Sequence, residues 1–100
     1  MEFKKENIDP DLLDIIPSYI DSLKLNLKNL KEFLSQKDDI KMRAICHKIL
    51  GTAISYGFLQ LDEIVKKLQE NLIKLDWVAV EKDLDILKEY LNFIQRENLQ

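Results

Sequence analysis

Only two glycines and two prolines occur among 100 residues, and that scarcity constrains the fold more than any other feature. A chain with so few residues suited to turns has few places to reverse, so long helices follow. The apolar residues keep the matching step. Ile16, Ile20, Leu23, Leu27, Leu30 and Leu34 are spaced 4, 3, 4, 3 and 4, which lays them along one helix face.

The remaining punctuation divides the chain. Asp9-Pro10 is a helix-start pair, an aspartate to accept the first free N–H groups and a proline at the first helical position. Pro17 then interrupts, which predicts a short helix over about 10–16 and a second beginning near Pro17. "SQKDD" ends that helix, and Asp38 or Asp39 caps the next. The third is expected over about 39–56, with Met42, Ile45, Ile49, Ala53 and Tyr56 on one side. Gly57 fits the position just past its end, where a left-handed backbone is cheap only for glycine. A fourth over about 58–74 carries Leu61, Val65, Leu68 and Leu72. Asp76 caps a fifth, in which Trp77, Val80, Leu84, Leu87, Leu91 and Ile94 step 3, 4, 3, 4 and 3. Four long amphipathic helices with short connections predict an all-α, antiparallel up-down four-helix bundle with a short N-terminal helix, in one domain over 1–100.

Several function classes are disfavoured. The net charge is −3, whereas a nucleic-acid surface needs a basic face to displace counterions. No apolar run reaches signal-peptide or membrane-span length, so no membrane association is expected. The single cysteine, Cys46, forms no intrachain disulfide, which suits a reducing compartment and, with no signal peptide in view, predicts a cytoplasmic protein; a monomer is expected. No glycine loop cradles a nucleotide and no acidic cluster holds magnesium, so neither cofactor nor metal is expected. Cys46 adjoins His47, but adjacent helical residues diverge by about 100° and no second His or Cys completes a zinc set. Cys46 reads as a small packing residue. The aromatic residues Trp77, Tyr90 and Phe93 read as core and rim.

His47 is the sole histidine, and it lies about 160° around the third helix from the centre of the apolar stripe. Arg43 and Gly51 stand one turn either side of it on the same face. A glycine inside a helix costs about 1 kcal/mol relative to alanine, and close approach by another molecule is one reason to keep it there. Taken alone, His47 reads as an ordinary surface histidine.

The stretch "AICHKILGTAISYGFLQL" resembles the active-site helix of histidine-containing phosphotransfer (HPt) domains. His47 matches their phospho-accepting histidine, Gly51 the glycine four residues later, Thr52-Ala53 the small pair and Gly57 the turn glycine. Leu61 and Leu68 match the following helix, and Gln69 takes the place of a glutamine or glutamate near the histidine. The family fold is the same bundle, so the resemblance covers nearly the whole chain. It implies a phosphocarrier, not an enzyme in its own right. His47 would take a phosphoryl group from, or give it to, the aspartate of a response-regulator receiver domain, or be loaded by a sensor or hybrid histidine kinase. The receiver would bring the metal.

One departure is plain. The lysine that the family places three residues after the histidine, where it helps neutralise the phosphoryl group, is Leu50. Arg43 and Lys48 are then the nearest basic residues in sequence, and Leu50 would border the docking surface. Gln69 lies near 80° from the centre of its own helix's stripe. It reads either as a flanking polar residue or as a hydrogen-bond partner of His47. The second reading of the chain is a helical-bundle adaptor that binds receivers or other partners without carrying phosphate.

Overall fold

The computed structural model describes residues 2–98, so residues 1, 99 and 100 of the expected domain lie outside it. Among the described residues there are four α-helices and no strand. A 3-10 turn, Pro10–Leu12, precedes α1 (Ile16–Ser35), α2 (Asp39–Leu50), α3 (Leu59–Ile73) and α4 (Trp77–Asn98). The expected caps are in place. Asp9 accepts the Asp11 N–H at 2.9 Å, Asp38 accepts that of Lys41 at 3.1 Å and Asp76 accepts that of Ala79 at 3.2 Å.

Two elements differ from expectation. The short helix over about 10–16 is only a three-residue 3-10 turn. Pro17 has no N–H to give to the carbonyl of Leu13, so the helical ladder restarts at Ile16. The helix expected over 39–56 keeps a regular α-ladder only to Leu50, and residues 51–57 continue as helical turns. Thr52 is the local cause. Its N–H reaches the Ile49 carbonyl at 3.0 Å and its hydroxyl donates to the same oxygen at 3.2 Å, which tightens the turn. The segment closes at Gly57 (φ 89°). There the Gly57 N–H bonds the Ile54 carbonyl and the Phe58 N–H bonds the Ala53 carbonyl, both at 2.9 Å.

The apolar stripes meet in one core. Ile16, Leu30, Met42, Leu61, Leu72, Leu87 and Ile94 are all fully buried, and every helix contributes. Each helix packs on its sequence neighbours, and α1 also packs on α4, which closes the ring. The N-terminal segment adds a strap that the sequence did not announce. Phe3 packs edge-on against Tyr90, with ring centres 5.3 Å apart. Glu6 accepts from the Tyr90 hydroxyl at 3.0 Å and from the Gln60 N–H at 3.2 Å. No described helix is long and apolar enough to cross a membrane.

Candidate functional site

His47 sits in the last turn of α2 with its side chain exposed. The helix buries Met42, Ile45, Cys46 and Ile49 on its inner side. Its outer side carries Ile40, Ala44 and His47, spaced 4 and 3, and Gly51 and Ile54 continue the spacing, 4 and 3, into the turns that follow; all five are exposed. Ile40 is 68% exposed and Ile54 55%. The imidazole therefore stands midway along an open, mostly apolar strip.

Gly51 has φ −69° and ψ −16°, an ordinary helical conformation. A Cβ built there meets nothing nearer than the Lys48 carbonyl at 3.5 Å and the His47 carbonyl at 3.6 Å. The fold itself therefore does not require glycine at 51. Helical side chains lean toward the N-terminus, so a side chain at 51 would lie back over the imidazole one turn earlier, and Gly51 leaves that space bare. Gly57 is the opposite case. Its left-handed φ and the Asn7 carbonyl, 3.1 Å from an added Cβ, demand glycine.

The other expected site residues fall out differently. Lys48 is exposed beside His47. Arg43 is half-buried, and its Nη2 lies 3.2 Å from the Asp39 carboxylate, one turn toward the helix N-terminus. The guanidinium thus points away from His47 rather than sharing its surroundings, and its buried Nε has no partner among the described residues. Leu50 is half-buried and packs against the core, so only part of it borders the outer face. Gln69, on α3, is half-buried, and its Oε1 is buried with no hydrogen-bond partner among the described residues. No hydrogen bond joins that oxygen to His47. It is an acceptor left open on the helix packed beside α2.

Support for the segment after the histidine comes from a residue that sequence reasoning passed over. The Tyr19 hydroxyl lies 2.8 Å from Thr52 Oγ1, and the Tyr19 ring stacks on Tyr56 at 4.0 Å. Burial pushes the Tyr19 phenol above its ordinary pKa, with the Thr52 bond opposing that rise. The only sequence signal for Tyr19 was its place one residue before Ile20 of the buried stripe.

Cys46 packs in the core with no exposed surface. Burial, reinforced by the Asp83 carboxylate, pushes its thiol up to about 12. A protonated, enclosed thiol is no nucleophile at neutral pH.

No protein-family model matches the chain, and no solved structure gives a significant match. The uncharacterized protein MJ0290 of Methanocaldococcus jannaschii is 31% identical over 96 residues, covering 96% of this chain and 45% of that protein. The chain therefore spans less than half the length of the relative it matches.

Proposed function

We propose that this chain is an HPt-like phosphocarrier that accepts a phosphoryl group on His47 and exchanges it with receiver-domain aspartates. The observation that carries the reading is the exposed imidazole beside a glycine that the backbone does not need. In the forward step an unprotonated ring nitrogen attacks phosphorus, the phosphorus–oxygen bond to the aspartate breaks, and the carboxylate leaves. The other ring nitrogen keeps its proton, and the ring gains positive charge. The unpartnered Gln69 Oε1 supplies an acceptor suited to that N–H. The phosphoryl group carries a charge of about −1.5 to −2. Lys48, exposed and one residue away, is the better-placed cation, because Arg43 is held by Asp39. The same reading takes the helices as antiparallel and up-down, which the short connections and the ring of helix contacts support.

The partner surface is the outer strip of α2, and a receiver domain is the proposed occupant, with a histidine kinase as an alternative donor. Leu50 in place of lysine favours a second reading, a receiver-binding adaptor that carries no phosphate. Incubation with phosphorylated receivers separates the two. Acid-labile, base-stable label that disappears in His47→Gln, while the helical circular-dichroism spectrum stays intact, supports the carrier. An unlabelled wild-type protein that still binds receivers favours the adaptor.

A further inference from the structure

A groove of about 450 Å³ runs between α3 and α4, within the range of about 300–1,000 Å³ usual for small-molecule sites. It is independent of the histidine: no residue of α2 lines it. Ile64 on α3, Ile86 on α4 and Phe3 of the N-terminal strap form its apolar part. Asp83 also lines it, although that residue is only 5% exposed. Among the described residues, the one hydrogen bond to its carboxylate comes from Asn71 Nδ2 at 2.7 Å. Neither carboxylate oxygen is both buried and unpartnered, so the second oxygen stays reachable, and the groove that Asp83 lines is the side from which a donor can meet it.

The charges around the groove narrow the ligand. Lys67, Lys82, Glu63 and Asp83 are its charged lining residues, two of each sign. A zwitterion can pair with both signs at once, which a simple cation, a simple anion or a neutral ligand cannot. We infer that the groove binds an apolar amino acid, its ammonium on Asp83 and Asn71, its carboxylate toward Lys67 and Lys82, and its side chain along Ile64 and Ile86.

The test is an NMR titration of the full chain with L-phenylalanine up to about 10 mM. Phenethylamine and 3-phenylpropionate serve as ligands that each lack one charge. The expected result is saturable shifts confined to Phe3 and residues 60–71 and 79–86, with each half-ligand at least about tenfold weaker. Asp83→Asn should lose phenylalanine binding. Lys82→Gln, at an exposed position, should weaken phenylalanine but leave phenethylamine unchanged. Absence of saturable shifts, equal affinity for phenethylamine and phenylalanine, or unchanged phenylalanine affinity in folded Lys82→Gln would each overturn the proposal. Labelling of His47 is read separately, so failure here leaves the phosphocarrier reading standing.

Discussion

At the scale of single residues, the two glycines do opposite things, and substitution separates them. Gly57 is fixed by the fold. Gly57→Ala places a Cβ at φ 89° against the Asn7 carbonyl, and should cost about 1–2 kcal/mol from the left-handed conformation alone, with further loss from the contact. Urea unfolding measures it. Gly51→Ala meets no clash and gains helix propensity, so stability should stay level or rise by up to about 1 kcal/mol. Transfer from a phosphorylated receiver should slow, because the new side chain leans toward the imidazole. A Gly51→Ala protein that transfers at the wild-type rate removes access as the reason for the glycine. His47 and Gly51 could be picked out in the sequence by type and spacing. The engagement of Arg43 by Asp39 could not, because four-residue spacing brings a basic residue as close to the preceding turn as to the following one.

At the scale of elements, the helices were legible and their ends less so. Apolar steps of 3 and 4 record which face is buried, and Asp9, Asp38 and Asp76 carry their own capping chemistry, so starts could be read directly. The stops of α1 and α3 carry no glycine. Lys37 (φ 51°) and Leu75 (φ 55°) take the left-handed position instead. In each case the next residue's N–H returns to a carbonyl five residues back, Asp38 to Phe33 and Asp76 to Asn71, both at 3.0 Å. Nothing in a lysine or a leucine announces that conformation. Only the aspartate that follows marks the boundary. The Tyr90–Glu6 and Phe3–Tyr90 contacts were hidden for a related reason, since a strap without periodicity leaves no pattern to read. Leu75 is 53% exposed, so Leu75→Gly loses little packing and relieves about 1–2 kcal/mol of backbone strain. Added freedom in the unfolded chain returns about 0.5–1 kcal/mol of that. The expected net is a stabilisation of about 0.5–1 kcal/mol, seen as a rise in Tm of about 2–8 °C. A lower Tm would show that the leucine side chain stabilises the turn by more than its conformation costs.

At the scale of the whole molecule, the core holds two groups that ionise only at alkaline pH, and they set how stability depends on pH. Burial raises the Cys46 thiol from its reference value of 9.0 to about 12. Burial, followed by the Glu6 carboxylate and its hydrogen bond, also raises the Tyr90 phenol well above 10.0. Both groups are neutral when folded, and both lose their protons more readily when the chain unfolds. Stabilisation relative to the ionised unfolded chain is therefore complete below about pH 9 and drains away as pH climbs toward the folded-state values. At pH 10.5 the unfolded thiol lies about 1.5 units above its pKa while the folded thiol is still protonated, which corresponds to a loss of about 2 kcal/mol. Tyr90 begins to add to this loss above pH 10. Rising net negative charge lowers stability over the same interval, so the thiol's share has to be isolated by comparison. Cys46→Ala removes the titrating group at the cost of a small cavity, which shifts stability equally at every pH. The unfolding free energy of the wild type should fall by about 2 kcal/mol more than that of Cys46→Ala between pH 8 and 10.5. Parallel curves would mean that the thiol ionises in the folded protein as readily as in the unfolded one, and that α2 opens to solvent around residue 46.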